Sequence, residues 1–284
     1  MIIDTFPAFL TFWKKYHSQS IEEQIDGWAN TYLSPWKELF QKQVDDYASD
    51  GYDWRQIGRE RIFPRIEEHL QDMTTARNNL VDLVEPVLIK TKEVLGFDFE
   101  IVFTIYVGIG LGAGWATSYD GIPAVLFGLE NIAEEGWCYP NALTGLIAHE
   151  ISHLVHFYWR EINGLPKGNG PLWQLYTEGF AQWCEHLVTA KPFYRLSDPC
   201  KDWLAWCQEN LSWLSKDFLK KVGKEESVRD FFGSWFDIQG YSQCGYYLGC
   251  QIIDSLCRHK TLAEVATLED YETPFCEILL HYAK

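Results

Sequence analysis

NALTGLIAHEISHLVHFY (Asn141 to Tyr158) is almost wholly apolar, yet it carries His149, Glu150 and His153 in its middle. Pro140 suits the first turn of a helix, where its missing N–H would have no partner in any case. Residues four apart on a helix project from one face, one turn apart. His149 and His153 can therefore bring both imidazoles to one metal ion at about 2.0–2.1 Å. Glu150 flanks that pair and can reach a water activated by the ion. Leu146, Ile147, Ala148, Ile151, Leu154 and Val155 surround the three. Burying two imidazoles and a carboxylate in such company is costly unless each is paired or holds a metal. The plainer alternative is a pair of core histidines beside a buried ion pair.

A catalytic zinc usually takes three protein ligands and leaves one position for water. His156 lies on the same helix, but three ligands stacked along one straight helix would not surround an ion, so His156 reads as packing. Glu178, in YTEGFAQWCEHL, is the better third ligand. The 25 residues after His153 allow a loop rich in Gly and Pro (Asn163 to Pro171) and a return helix (Leu172 to Val188). Gly179 and Ala181 remove bulk beside Glu178, so the second helix can come close. The alternative for Glu178 is a first-turn glutamate facing the helix dipole.

Outward from this pair of helices, residues 1 to about 95 read as helices punctuated by Pro35, Gly51 and Pro64. The longest helical pattern runs from Thr74 to Leu95 on Leu80, Leu83, Val84, Val87 and Leu88, and Gly96 stops it. FEIVFTIYV (Phe99 to Val107) is β-branched and aromatic and predicts a strand. Gly108 to Gly121 continues as turn and strand. Ile122 to Phe127 is a further strand, joined through Asp120-Gly121, a strong hairpin signal. Residues 192 to 284 alternate helical stretches with breaks at Pro192, Pro199, Gly223, Gly233 and Gly240. The layout is α+β, with a small antiparallel-looking sheet. It predicts three regions: 1–96 helical, 97–190 carrying the chemistry, and 191–284 helical.

Composition narrows the partners. Of 284 residues, 47% are hydrophobic and 23% charged, as in a soluble globular chain. Against 24 Lys and Arg stand 40 Asp and Glu, a net charge of −16, which repels nucleic acid and anionic membrane surfaces. No apolar run reaches the ~18–20 residues of a membrane span. The first residues, MIIDTFPAFLTFWKKYH, lack the basic start of a secretory signal. Eight cysteines without a CxxC pattern predict reduced thiols in a cytoplasmic protein. Thirteen tryptophans predict bulky packing or an aromatic-lined cleft.

HEISH, followed by TEGFA and then Glu185, resembles the gluzincin zinc peptidases, the group of thermolysin-like and aminopeptidase-like enzymes. Their pattern is HExxH, then a downstream glutamate in an (N/T)EGxAxxxE-like segment. More narrowly, the chain resembles the small predicted zinc-protease families of bacteria within that clan. The likeness covers about residues 99–190 and 240–250. It implies a zincin-like fold, with a small mixed or antiparallel sheet and an active-site helix. It implies one Zn2+ per chain on His149, His153 and Glu178, with Glu150 as general base and Glu185 orienting a ligand histidine. The substrate would be a peptide or protein. Gluzincins also use a downstream Tyr or His on the oxyanion, and GYSQCGYYLG offers Tyr241, Tyr246 and Tyr247, with Tyr246 the first choice and Tyr247 the second. Gly112 and Gly114 would lie in the strand that pairs with substrate backbone. Glu130, in GLEN, resembles the glutamate that binds a substrate amino group. The alternative is a zincin scaffold that binds a peptide or regulatory partner without cutting it.

Overall fold

The computed structural model describes residues 1–191, 202–233 and 235–284. They form an α+β protein of two compact units, Met1–Val87 with Asp98–Ile147, and Leu88–Phe97 with Ala148–Lys284. This grouping differs from three consecutive regions. The strands of the expected middle region join the amino-terminal helices, and its chemistry-bearing helices join the carboxy-terminal ones.

The first unit holds a four-stranded sheet, β1 (Ile2–Asp4), β2 (Val102–Tyr106), β3 (Trp115–Tyr119) and β4 (Ile122–Gly128), in the order β1-β2-β4-β3. β2 reads VFTIY without alternation because it is buried throughout and has a strand on each side. β1 and β4 run parallel to it, with Ile2 opposite Phe103 and Val102 opposite Ala124. β3 runs antiparallel to β4. Asp120 (φ 49°) and Gly121 (φ 74°) join these two, and positive φ at both positions is what a two-residue hairpin turn with the strands' own twist requires. The sheet is thus mixed, and the antiparallel reading holds only for the hairpin. β1 escaped that reading because three residues carry too little pattern.

The same unit holds α1 (Phe6–Tyr16), α2 (Ile21–Gly27), α3 (Lys37–Ser49), α4 (Trp54–Ile57), α6 (Leu129–Glu134) and all of α5 (Ile66–Leu95) but its last residues, from Leu88 on, which belong to the second unit. Ser20 and Glu23 close a reciprocal cap at the start of α2, which widens into a π-helical turn over Trp28–Tyr32. Phe9, Trp13 and Tyr32 pack in ring contact there. α5 starts eight residues earlier than its apolar periodicity predicts and ends at Gly96 (φ 70°).

α7 (Pro140–Ile162) passes into the second unit between Ile147 and Ala148. There follow α8 (Gly170–Thr189), α9 (Trp203–Glu209), α10 (Leu211–Gly223), α11 (Arg229–Phe232), α12 (Cys244–Cys257), α13 (Leu262–Ala266) and α14 (Glu272–Tyr282). α8 and α12 cross in backbone contact at two glycines. A Cβ on Gly179 would stand 2.4 Å from the carbonyl carbon of Gly249, and one on Gly249 would stand 2.6 Å from the carbonyl oxygen of Leu175. The expected breaks at Gly223 and Gly233 fall at the ends of α10 and α11, while Pro192 and Pro199 lie outside the described residues. Seven cysteines are free thiols, and Cys200 lies outside the described residues. Among the described residues, no helix is long and apolar enough to cross a membrane.

Candidate metal centre

α7 stacks His149 over His153, their rings 4.8 Å apart and nearly perpendicular. α8 returns alongside and presents Glu178 to both. Its Oε2 lies 3.2 Å from Nε2 of His149 and 3.3 Å from Nε2 of His153. The three ligating atoms lie within 4.8 Å of one another. A tetrahedral ion with bonds of ~2.0–2.1 Å keeps its donors about 3.3 Å apart. The carboxylate oxygen already stands at that distance from each nitrogen.

Glu185, about two helical turns beyond Glu178, places Oε2 3.4 Å from Nδ1 of His149 and is itself fully buried. An imidazole that gives its Nδ1–H to Glu185 turns the lone pair of Nε2 toward Glu178. A lone pair facing a carboxylate oxygen at this distance is repulsive unless a proton or a cation lies between them. Two nitrogens and one oxygen converging in this way fit a divalent ion of the zinc type. Burial by itself would raise the Glu178 carboxyl, but the imidazoles of His153 and His149 outweigh it and hold it well below the ordinary carboxylate range.

No family model, curated protein or solved structure matches the chain.

Glu150 is buried beside His149, and among the described residues no hydrogen bond engages its carboxylate. Tyr246 sits with its ring 5.6 Å from that of His149 and the edge of Phe232 against it. The crossing at Gly249, three residues on, brings this turn of α12 close to α8. Tyr247 is not brought to the centre. One residue further round the helix, it is buried edge-on to Trp203, and that burial pushes its phenol up to about 12. Tyr241 stacks on Trp206 at 4.4 Å. Of the three tyrosines, Tyr246, the first choice from the sequence, is the one whose ring meets that of His149.

His156 is packing. Its Nε2 lies 3.2 Å from the carbonyl of Ala266, and its ring is stacked 4.4 Å from Phe180. Burial first, and then the charges of Arg160 and His153, push its pKa well below the ordinary value. Phe157, unremarked in the sequence, stacks on His153 with Lys167 above its ring. Its signal was there: it follows His153 by four residues, on the same helix face.

Gly112, Gly114 and Glu130 belong to the first unit. The two glycines precede β3, and the carbonyl of Ala113 between them accepts the N–H of Gly128 at 3.2 Å. β3 is an edge strand. The Glu130 carboxylate is engaged by its own chain, accepting the N–H groups of Gly108 at 2.7 Å and Gly110 at 3.1 Å.

Proposed function

We propose that the chain is a zinc-dependent peptidase that hydrolyses peptide bonds. The observation that carries this reading is the single Glu178 oxygen shared by two imidazole nitrogens, with Glu185 behind His149. His149, His153 and Glu178 would hold one ion. When bound, such an ion supplies Lewis-acid polarisation and a nucleophilic water near neutral pH. Glu150 then accepts the proton of the attacking water and delivers it to the leaving amine. The Tyr246 hydroxyl donates to the developing oxyanion, which it can do without ionising. Glu185 fixes the tautomer and the plane of His149. The seven free thiols suit a reducing compartment, and the excess of acidic groups suits a protein that binds neither nucleic acid nor anionic lipid.

Glu150→Gln tests the reading. The variant should keep one equivalent of zinc by elemental analysis and lose roughly 10²–10⁴-fold in turnover of fluorogenic peptides. Unchanged turnover would remove Glu150 from the chemistry. Stoichiometric zinc in a wild-type protein that cuts no peptide would point to a binding role instead.

A further inference from the structure

Tyr246 is the third residue of α12, and the helix does not fix its side chain. A helical side chain settles back on the turn before its own. For Tyr246 that turn is not helical, because Gln243 stands outside α12 in the left-handed region (φ 61°). The tyrosine is half-buried, while Gly245 and Tyr247 on either side of it are buried. Its place beside His149 therefore depends on what packs against its ring.

Phe232 packs there. α11 is a single turn, and its first contacts are with α10. Phe231 is fully buried with its ring edge-on to Phe218 at 5.1 Å, and Asp230 pairs with Lys221 at 2.9 Å. These contacts tie the turn to α10 and leave Phe232 facing α12. Phe232, only 7% exposed, meets the Tyr246 ring at 5.8 Å and 71°. That is the edge-to-face arrangement favoured by aromatic quadrupoles. The same ring lies against the backbone of α12 at Gly245. A Cβ on Gly245 would stand 2.4 Å from Cε1, 2.6 Å from Cζ and 2.8 Å from Cδ1 of Phe232. Glycine keeps that seat open. α12 thus receives Phe232 at one residue and presents Tyr246 at the next.

We propose that Phe232 is the positioning residue for Tyr246. Seated on Gly245, it holds the phenol ring in the orientation that sets it beside His149. Without that contact the ring is released to the other staggered positions of its first side-chain torsion, about 120° away, which carry the hydroxyl off the candidate metal centre. An edge-to-face pair biases the held orientation by about 2- to 12-fold. The effect on catalysis rests on the peptidase reading, whereas the placement of the ring does not.

Phe232→Leu keeps an apolar side chain and removes the ring. On a fluorogenic peptide its kcat should fall about 2- to 12-fold, with KM within about twofold of the wild type. Gly245→Ala pushes the Phe232 ring off its seat and should lower kcat to a similar extent. In the Tyr246→Phe background neither change should cost anything further, since the hydroxyl they place is gone. Phe9→Leu, at another buried ring, packed on Trp13 and Tyr32 in the first unit, should lose stability in urea and keep its kcat. Crystal structures of the zinc-loaded Phe232→Leu and Gly245→Ala proteins read the placement itself. The Tyr246 ring should leave His149 or divide between two rotamers. A ring still 5.6 Å from that of His149 in both variants, an unchanged kcat in both, or the same loss of kcat with and without the Tyr246 hydroxyl would each overturn the proposal. Should Phe232→Leu fail to fold, Gly245→Ala decides. Should the wild type cut no peptide, the peptidase reading falls, and the crystal structures alone decide whether Phe232 holds the ring.

Discussion

Gly179→Ala places the first demand on this structure. The added Cβ would stand 2.4 Å from the carbonyl carbon of Gly249, 2.6 Å from its oxygen and 2.7 Å from its Cα. Ordinary carbon contacts begin near 3.5 Å, so α8 and α12 must part by about 1 Å. The obstructing atoms are helix backbone, which cannot swing aside as a side chain would. Overpacking of this kind costs about 1–3 kcal/mol. Replacing a helical glycine by alanine returns about 1 kcal/mol through backbone entropy. Against rigid backbone the upper end of the cost applies, and the net loss should be about 1–2 kcal/mol in urea unfolding. The same displacement reaches the site, since Glu178 adjoins Gly179 and Tyr246 lies one turn before Gly249. Zinc affinity, read by competition with a chelating dye, should fall at least ~10-fold, because a ligand moved by 1 Å no longer meets its ion at bonding distance. Gly223→Ala is the control. No atom lies within 4 Å of its added Cβ, so that variant should match the wild type or exceed it by up to about 1 kcal/mol. A Gly179→Ala protein as stable as the wild type, with undiminished zinc affinity, would show that the helices do not cross at these glycines.

Tyr246→Phe should fold normally and lower peptide turnover by about 10²–10³-fold, the usual effect of removing one oxyanion donor, while Tyr247→Phe should leave turnover unchanged. Equal effects of the two variants in a steady-state assay would contradict the geometry of α12. Arg160 is buried and donates to the carbonyls of Pro166, Ala266 and Leu268 beneath the rings of Trp173 and Tyr176. Arg160→Met strips the carbonyls of Pro166 and Leu268 of this donor, leaves that of Ala266 to His156, and should cost at least ~3 kcal/mol in urea unfolding, with Arg160→Lys intermediate; a loss below ~1 kcal/mol for the Met variant would show that the cage carries no stability.

Much of this was legible wherever pattern is local. Asp120-Gly121 marked its hairpin because only a few residue types take positive φ twice in succession. The helices of the candidate metal centre announced themselves through apolar runs interrupted at helical spacing, and His149 and His153 were fixed as neighbours by that spacing alone. What depends on distant partners was not legible. Gly249 gave no sign that it would face Gly179, and the sequence preference for Tyr246 over Tyr247 had no such crossing behind it. Glu130 resembled a ligand-binding glutamate as long as Gly108 and Gly110, some twenty residues earlier, were unseen as its partners. The π-helical turn at Trp28–Tyr32 likewise has no sequence signature, since it forms where tertiary packing sets the side chains.

The pairing of β1 bears on how the protein is made. Ile2, Ile3 and Asp4 dock on Phe103, Thr104 and Ile105, and Thr5 bonds the carbonyl of Ile105 twice, through its N–H and its hydroxyl. During synthesis, at ~5–20 residues per second, the first strand must wait roughly 5–20 s for its partner to be polymerised. A long apolar strand left waiting would recruit strands from neighbouring nascent chains. Three residues ending in an aspartate leave little edge to recruit with, so brevity here protects the chain while the ribosome finishes the sheet.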